Sequence, residues 1–465
     1  MPGREQSDRE LIRAIAPWLI TQRWYSGKGR APSFELVASI PLPAPSGCEF
    51  SILLILDHAK DPLLYQVPLS AREAPLPSAA GAVGVDAAGR TLYDGAHDPA
   101  LVATLFGLIG TEGLADGTRA TLRGCASSGS VGGQALAPRV LSSRVLSGEQ
   151  SNTSIVIATA AGPVVLKLFR TLHDGENPDV VLTEALAGAG SSVAPRPFGH
   201  LIASWPDAGL VGAVATGHLA FAEEYLEGAR DAWTVATAAL AAGEDFAERA
   251  FALGARTAEM HEGLAAALPT TPSTASDMAA VLSAMNDRYE AAVRAVPGLE
   301  DRRGIIGALY RAAAESPWPS LQRIHGDLHL GQVLDAPGRG WVLLDFEGEP
   351  LRPMRQRSHP DLPLRDVASM LRSFDYVEGA AVIGGTTADP GPWVAASRRA
   401  YVDGYDQRSG RDLRAHHALL DAFELDKALY EVVYETRNRP AWTPIPMAGV
   451  DRLIRRHSTP GHSMA

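Results

Sequence analysis

The chain of 465 residues has few cysteines and no long apolar run. Its two cysteines, Cys48 and Cys125, stand far apart in the sequence. They have neither the spacing of a metal site nor the number that a disulfide scaffold needs, so a reducing, cytoplasmic compartment is expected. No stretch reaches the roughly 18 uncharged apolar residues of a membrane-spanning helix. The first eight residues are polar and lack the apolar centre of a secretory signal.

Cations are also scarce, because 42 lysines and arginines face 53 acidic residues and leave a net charge of −11. This excess of negative charge disfavours nucleic acid or an anionic membrane as a general partner. A nucleotide could still bind, but it would need a local cation or a metal ion. The apolar share of 46% and the length fit a soluble protein of two or three domains.

The most informative stretch lies between residues 325 and 350. His325–Gln332 (HGDLHLGQ) has the composition of a polar loop, and the apolar run 342–344 leads into Asp345–Pro350 (DFEGEP). Between them, residues 335–340 carry the Pro and Gly of a hairpin connection. A hairpin folds its two ends back on each other, so the stretch predicts that both aspartates reach one pocket.

Such a pair of carboxylates suits phosphoryl transfer. Asp327 would orient a substrate hydroxyl and take its proton, while Asp345 and the amide of Gln332 would hold Mg²⁺ against the phosphates. For either aspartate alone, a solvated hairpin is the simpler interpretation, since most carboxylates are exposed. Two carboxylates, two histidines and an amide in one ordered pattern favour a site.

These two segments resemble the catalytic and metal-binding segments of the aminoglycoside-phosphotransferase-like kinases, and most closely those of actinobacterial maltokinases. Protein kinases differ in having an Arg before the Asp, an Asn as second ligand and DFG at the metal site. The resemblance therefore implies a small-molecule kinase with ATP and Mg²⁺. It implies an α+β, bilobal protein-kinase-like fold with a cap domain, a small β-rich lobe and a large helical lobe, with ATP in the cleft. It also implies sugar contacts from His329 and Glu347.

Three domains are expected: a cap over 1–110, a nucleotide-binding subdomain over 111–228, and a helical lobe with the catalytic and sugar sites over 229–465. Within the cap, Arg23–Arg30 (RWYSGKGR) resembles an N-terminal signature of maltokinases, and its role is left unassigned. The Gly-, Ser- and Ala-rich stretch 109–137 predicts a mobile loop or linker.

The nucleotide-binding prediction rests on two or three antiparallel strands within 145–169. Lys167 interrupts an apolar strand, either as a lysine on the solvated face or as a ligand of the α- and β-phosphates. The preceding turn is not GxGxxG, so its hydroxyls and backbone, including Ser151 and Asn152, would cover the phosphates. In a helix over 176–188, Glu184 either pairs with Lys167 or is simply exposed.

The strand near 219–224 ends in an acidic turn that matches the kinase hinge, which implies adenine contacts at Glu223 and Tyr225. Helices are predicted over 233–268, over 276–295 with Ser276 as N-cap, and over 304–315. By the same resemblance, Asp366 at the start of a later helix braces the catalytic loop.

The C-terminal segment 424–442 predicts a helix that ends at Pro440. Lys427, Glu431, Tyr434 and Asn438 recur at helical spacing and share one face, which suits either solvent with one salt bridge or a sugar. The segment resembles the maltokinase pattern YExxYExRNRPxW, which lines the disaccharide pocket. The resemblance implies acceptor contacts from Lys427, Tyr430, Glu431, Tyr434 and Arg437.

The function implied is ATP-dependent phosphorylation of maltose at its anomeric hydroxyl. The product, maltose 1-phosphate, would feed glycogen or α-glucan synthesis from trehalose, with trehalose synthase as a candidate partner. One alternative is a glucosamine, other sugar or aminoglycoside kinase of the same superfamily. Another is an inactive nucleotide-binding partner of a trehalose or α-glucan enzyme. Intact Lys167, Asp327 and Asp345 argue against that last alternative.

Overall fold

The computed structural model describes residues 2–58, 61–127, 139–146, 151–210, 212–349, 352–386 and 388–458. It forms two compact units. The first consists of Met1–Glu184 and Pro195–Glu227, and the second of Ala185–Ala194 and Gly228–Ala465. The first unit holds two large β-sheets and the second is mainly helical. No helix in the described ranges is long and apolar enough to cross a bilayer.

The first unit begins with helix α1 (Pro2–Leu19) and an antiparallel sheet. Its strands are β1 (Phe34–Leu42), β2 (Cys48–Asp57), β3 (Leu63–Arg72), β4 (Ala82–Val85) and β5 (Thr91–Asp94), in the order β1-β2-β3-β5-β4. Leu53, Ile55 and Val67 pack under α1 against its buried Ile15 and Leu19. The sheet therefore buries one face against an amphipathic helix.

The segment Arg23–Arg30 folds onto this sheet through one buried carboxylate. The Tyr25 hydroxyl donates to Asp57 Oδ2 over 2.8 Å, and Arg30 Nη2 donates to the same oxygen over 2.5 Å. A Cβ at Gly27 would overlap the Tyr25 hydroxyl, so a larger residue there would displace this hydrogen-bonded side chain. These contacts explain the motif as an anchor of the chain on the sheet.

The second sheet has seven strands in the order β6-β7-β12-β13-β10-β9-β8. Helix α2 (Pro99–Gly110) precedes it and α3 (Pro178–Gly188) is inserted within it. Its strands are β6 (Leu114–Asp116), β7 (Thr121–Ala126), β8 (Val140–Val145), β9 (Asn152–Thr159), β10 (Gly162–Phe169), β12 (Pro197–Pro206) and β13 (Val214–Glu224). The short β11 (Thr171–Leu172) pairs instead with β3 of the first sheet.

The loop predicted for 109–137 is wrong where the structure describes it, because β6 and β7 lie there; residues 128–138 lie outside the described ranges. A Cβ at Gly124 of β7 would overlap the carbonyl oxygen of Leu108. This glycine serves a close approach of strand to helix rather than a turn. The domain boundary at 110 stays a prediction, and one apolar core runs across it, from Leu54 and Phe106 to Ile155 and Leu201.

The second unit contains nine helices and three short strands among the described residues. The elements are β14 (Arg230–Asp231), α4 (Ala232–Ala242), α5 (Ala247–Ala267), α6 (Ala275–Ala295), α7 (Arg303–Glu315), β15 (Val333–Ala336), β16 (Gly340–Leu343), α8 (Met354–Arg357), α9 (Leu364–Ile383), α10 (Gly391–Ser409), α11 (His417–Asn438) and α12 (Pro444–Ser458). Helix α11 packs against α6, α7, α9 and α12, and is therefore the central helix of the unit.

Two helix boundaries differ from the prediction. The helix predicted over 233–268 is divided into α4 and α5 at Gly243, whose left-handed φ of 67° ends α4. The N-cap of α6 is Thr274 rather than Ser276, because Thr274 and Asp277 form a reciprocal capping box.

Candidate functional site

The predicted hairpin is present and brings Gln332 and Asp345 together. Strands β15 and β16 pair with Val333 opposite Leu343, so the residues on either side of the hairpin are also adjacent. The amide of Gln332 donates from Nε2 to Asp345 Oδ2 over 2.9 Å. Asp345 has a φ of +61°, in the left-handed region that non-glycine residues rarely adopt. Such strain is typical of residues held in place for function.

Asp366 holds the polar loop in front of this hairpin. Its two carboxylate oxygens accept the backbone N–H groups of His325 and Gly326, each over 2.8 Å. Asp366 also lies 3.1 Å from His261 Nε2 and is almost fully buried. The His325 ring approaches the Leu344 carbonyl oxygen to 2.8 Å, which ties the loop to the hairpin. The start of the loop that carries Asp327 is thereby fixed.

Asp327 forms an ion pair with a lysine of α11. Lys427 Nζ lies 3.3 Å from Asp327 Oδ1 and 2.9 Å from Glu349 Oε1, and 4.9 Å from the centre of the Tyr430 ring. Burial raises the pKa of Asp327, but Lys427, His329 and His325 together outweigh it and lower that pKa. Burial lowers the pKa of Lys427, whereas Asp327 and Glu349 raise it overall. Both partners are therefore charged at neutral pH.

The sequence motif gave Glu349 no role, and the structure places it beside Lys427 and Asp327. Besides Lys427, it lies 3.3 Å from Arg352 Nε and 3.9 Å from Arg288 Nη1. Burial raises the pKa of Glu349, but Lys427 and Arg288 lower it on balance. Its place as the last acid of DFEGEP was the signal that could have found it.

Arg357 is a second residue that sequence reasoning missed. Burial lowers the pKa of its guanidinium, against the opposing effect of Glu347, Asp327, Asp345 and Glu349. It is therefore a cation within electrostatic range of four carboxylates of the 325–349 stretch. Nothing in its local sequence distinguishes it from an exposed arginine, because the acids that surround it come from elsewhere in the chain.

A cavity of about 420 Å³ lies beside α11, and we call it the α11 pocket. It is lined by Trp233, His329, Gly331, Ser373, Tyr376, Lys427, Tyr430, Glu431, Tyr434, Glu435, Arg439 and Trp442. Two aromatic pairs stack in its wall. The rings of Tyr430 and Tyr434 lie 6.5 Å apart, and those of Tyr376 and Trp442 lie 6.3 Å apart. Aromatic faces with a few polar groups are typical of small-molecule pockets.

Five of the predicted sugar-binding residues line this pocket, and two do not. His329, Lys427, Tyr430, Glu431 and Tyr434 are in its wall. Arg437 is exposed, and it does not line the pocket because a helix turns about 100° per residue and carries it to the edge of that face. Glu347 is half-buried near Arg357 instead.

Arg439, which was not predicted, lines the pocket where Arg437 was expected. It follows the end of α11 with a non-helical φ of −143°, and its guanidinium bonds to both oxygens of Glu435. It also lies 4.6 Å from the centre of the Trp442 ring. Because the backbone leaves the helical conformation at Arg439, the side chain of Arg439 reaches the pocket, which helical spacing alone would not predict.

A buried arginine holds Glu431 in the pocket wall. Arg372 is fully buried and donates from Nε and Nη2 to Glu431 Oε2 over 3.0 and 2.7 Å. Burial raises the pKa of Glu431 overall, although Arg372 and Lys427 oppose it. Arg372 also donates from Nη1 to Asp375 Oδ2 over 2.5 Å.

In the first unit, Lys167 lies on β10 between β9 and β13. Its ammonium lies 2.7 Å from Asp179 Oδ2 and 3.1 Å from Glu223 Oε1. The predicted pairing with Glu184 is wrong. Asp179 is in the first turn of α3, whereas Glu184 is five residues further along and about 140° around the helix.

Glu184 bonds instead to Ser127 Oγ over 2.9 Å and to His200 Nδ1 over 3.1 Å. Burial raises its pKa, but His200 and Ser127 lower it on balance. Glu184 therefore does not position Lys167. Its predicted role in nucleotide binding stays a prediction.

A buried histidine positions the start of α3. His218 Nδ1 accepts the Asn177 N–H over 2.9 Å, and Asn177 Oδ1 accepts the Asp179 N–H over 2.8 Å. The His218 and His200 rings are 4.7 Å apart. Burial and the neighbouring His200 lower the pKa of His218 to about 4, so His218 is neutral at physiological pH.

The other predicted nucleotide ligands are only partly described. Ser151 is exposed and Asn152 begins β9, but residues 147–150 of the same turn lie outside the described ranges. Tyr225 donates its N–H to the Pro163 carbonyl over 3.3 Å, and its hydroxyl lies 3.4 Å from Arg144 Nη2. Their roles, like the adenine contact predicted for Glu223, stay predictions.

Comparison with known proteins gives two family matches. Residues 18–98 match the maltokinase N-terminal cap domain, and residues 142–411, more than half of the chain, match the phosphotransferase enzyme family. The chain belongs to the phosphotransferase enzyme family. The α+β kinase-like fold expected from the sequence, with a β-rich N-terminal part and a helical C-terminal part, is confirmed.

Relatives of this phosphotransferase carry another name than maltokinase. A glucosamine kinase of Streptacidiphilus jiangxiensis is 32% identical over 326 residues, 66% of this chain and 72% of the relative. One of Mycolicibacterium smegmatis is 29% identical over 333 residues, 67% of this chain and 79% of the relative. A solved glucosamine kinase in complex with glucosamine, ADP and inorganic phosphate is 26% identical, with a TM-score of 0.67 over 94% of this chain and 98% of that one.

Oxygen donors at the hairpin of this phosphotransferase fit a magnesium ion. Among the described residues, no group of three or more His, Cys, Asp or Glu side chains has the geometry to hold a metal by itself. Mg²⁺ usually takes only one or two carboxylates and completes its shell with waters and substrate phosphates. Asp345 and Gln332, 2.9 Å apart, offer one carboxylate and one amide.

Proposed function

We propose that this phosphotransferase transfers a phosphoryl group from ATP to the anomeric hydroxyl of maltose. The observation that carries the proposal is the α11 pocket, whose wall contains Lys427, the ion-pair partner of Asp327. An acceptor in this pocket would reach the one carboxylate that the fixed polar loop presents. Two aromatic pairs in the wall suit an acceptor with two sugar rings better than a single ring.

Asp327 would act mainly by orienting the acceptor hydroxyl. A general base works best when its pKa is near the operating pH, and the pKa of Asp327 is lowered instead. In a loose phosphoryl-transfer transition state, positioning and charge stabilisation contribute more than proton removal. A bound Mg²⁺, held by Asp345 and Gln332, would neutralise charge on the phosphates. Lys167, kept in place by Asp179 and Glu223, would contact the phosphates.

Support for maltose comes from two separate parts of the chain. Residues 18–98 match a cap domain named for maltokinases, and the segment at the end of α11 carries the maltokinase-like pattern whose tyrosines line the pocket. Maltose 1-phosphate as a donor for α-glucan synthesis, trehalose synthase as a partner and a cytoplasmic location belong to the same proposal.

Glucosamine is the second candidate acceptor, because the relatives and the solved structure described above are named glucosamine kinases. ADP in the solved glucosamine kinase structure also supports ATP as the proposed phosphoryl donor of this chain. The two candidates differ in charge as well as size, because glucosamine carries an amine.

An ADP-release assay with maltose, glucose, glucosamine and an aminoglycoside decides between them. We expect the highest kcat/KM with maltose and loss of its reducing end on phosphorylation, since the anomeric hydroxyl is consumed. ATP hydrolysis without acceptor is the background control. Strong turnover of glucosamine with none of maltose would overturn the assignment of the acceptor.

A further inference from the structure

We propose that Lys427 selects neutral sugars and excludes sugars that carry an ammonium group next to the reacting carbon. The inference rests on the proposed function, because it requires the acceptor to bind in the α11 pocket with its anomeric hydroxyl at Asp327. It goes further by assigning the choice between neutral and amino-sugar acceptors to one side chain.

Lys427 lies beside the carboxylate that is proposed to orient the acceptor hydroxyl. Lys427 Nζ lies 3.3 Å from Asp327 Oδ1, and the same lysine lines the pocket. A hydroxyl that Asp327 orients must lie within about 3 Å of that carboxylate. The amine of a 2-amino sugar is on the carbon next to the anomeric carbon. It would therefore be placed close to a fixed positive charge.

Lys427 is held charged and in one position. Glu349 binds its ammonium over 2.9 Å, Asp327 over 3.3 Å, and the ring of Tyr430 lies below it. These two carboxylates raise the pKa of Lys427 in spite of burial. Lys427 would therefore stay protonated and in place when the ammonium group of an amino sugar approached it.

Among the described residues, each carboxylate in or beside this wall already has a cationic partner. Glu431 is bonded to Arg372, and Glu435 is bonded to Arg439 over 2.6 and 2.9 Å. Asp327 and Glu349 already share Lys427. An incoming ammonium would meet repulsion from Lys427 and would have to share a carboxylate that another cation already binds. Like charges brought together are a common means of rejecting a wrong partner.

The experiment compares maltose with two derivatives altered only at C2 of the reducing ring, 2-deoxymaltose and 2-amino-2-deoxymaltose. The deoxy form measures the loss of the C2 hydroxyl, and the amino form adds the positive charge. For the wild-type protein at pH 6.5, we expect kcat/KM for the amino form to be at least tenfold below that for the deoxy form. In Lys427→Gln, which removes the charge and keeps a polar side chain, we expect the two values to differ by less than threefold.

A pH series on the wild-type protein tests the same charge without any variant. Aliphatic amines next to electron-withdrawing groups lose their proton near pH 8, as α-amino groups do. The ratio of amino to deoxy kcat/KM should therefore rise about tenfold between pH 6.5 and 9. Arg311→Gln, which removes an exposed cation on α7, is the matched control and should show the wild-type ratio.

Equal kcat/KM for the amino and deoxy forms in the wild-type protein would overturn the inference, whatever Lys427→Gln does. An unchanged preference in a folded, active Lys427→Gln would also overturn it. Failure of the wild-type protein to phosphorylate maltose itself would instead overturn the proposed function.

Discussion

Two lysines, one in each unit, have nearly the same surroundings and different expected tasks. Lys167 lies between Asp179 and Glu223, and Lys427 lies between Asp327 and Glu349, with ion-pair distances from 2.7 to 3.3 Å. Lys167 lies on a central strand of a sheet, whereas Lys427 lies on a helix and lines a cavity. A pair of carboxylates therefore holds each lysine in place, but the space next to its ammonium decides what the lysine can recognise.

The comparison also shows what mutagenesis must separate. Removing one partner of a buried ion pair leaves an uncompensated charge and can destabilise the fold strongly. A loss of activity at either lysine is therefore informative only beside a measurement of stability. Each kinetic change is therefore best measured beside a melting temperature or beside a second variant.

The largest effect is expected at Asp327, the partner that gives Lys427 its place near the chemistry. Asp327→Ala should lower kcat by about 10²–10⁴-fold, or roughly 3–5 kcal/mol, because the acceptor hydroxyl is no longer held. Asp327→Asn keeps an oxygen acceptor and should fall between wild type and the alanine variant. Steady-state kinetics with melting temperatures measure both. Equal losses in the two variants would show that proton transfer, rather than orientation, is what Asp327 supplies.

A large effect on stability is expected at His218, which holds the start of the helix that carries Asp179. Its pKa is lowered from 6.5 to about 4, so the folded state favours the neutral ring. The resulting stabilisation is present above pH 6.5 and is lost as the pH falls towards 4, by about 3 kcal/mol. His218→Asn keeps a hydrogen-bond acceptor but cannot take a proton. Between pH 6.5 and 4, the free energy of unfolding of this variant should therefore fall by about 3 kcal/mol less than that of the wild-type protein.

Urea unfolding at several pH values between 4 and 7 measures this difference. His417→Asn, at an exposed histidine at the start of α11, is the matched control and should follow the wild-type curve. Parallel curves for wild type and His218→Asn would contradict the prediction. They would show that His218 does not make the stability of the unit that contains Lys167 depend on pH.

Replacing each of the two lysines separately by methionine should give effects of intermediate size. Lys167→Met should raise the KM for ATP by tenfold or more and change the KM for maltose little, since phosphate contacts are lost. Lys427→Met should do the reverse. A tenfold change corresponds to about 1.4 kcal/mol. If both variants raised the same KM, the division of tasks between the two units would be wrong.

The smallest effect distinguishes the two acids proposed as partners of Lys167. Asp179→Asn should raise the KM for ATP several-fold, because the ammonium loses its nearer carboxylate. Glu184→Gln should leave that KM within twofold, since Glu184 bonds to Ser127 and His200. A larger effect at Glu184 than at Asp179 would restore the pairing that the sequence suggested.

The site could be predicted in part because some of its signals are local. The hairpin between Gln332 and Asp345 follows from turn residues between apolar strands, and the pocket face of α11 follows from helical spacing. Tyr376 and Arg357 carry no such signal, because each is brought to the site by a separate element. Glu349 was within reach, since it stands in the motif, but its partner Lys427 is 78 residues away.

The amino-acid sequence by itself determined the periodic elements, the polar loop, the hairpin and the one-sided pattern of α11, because backbone hydrogen bonding and burial act over a few residues. Only the tertiary structure decided which carboxylates reach each lysine and that Gly124 approaches Leu108 closely. Those outcomes depend on residues distant in the chain, since a buried charge takes whichever partner the packing of other elements brings within about 3 Å.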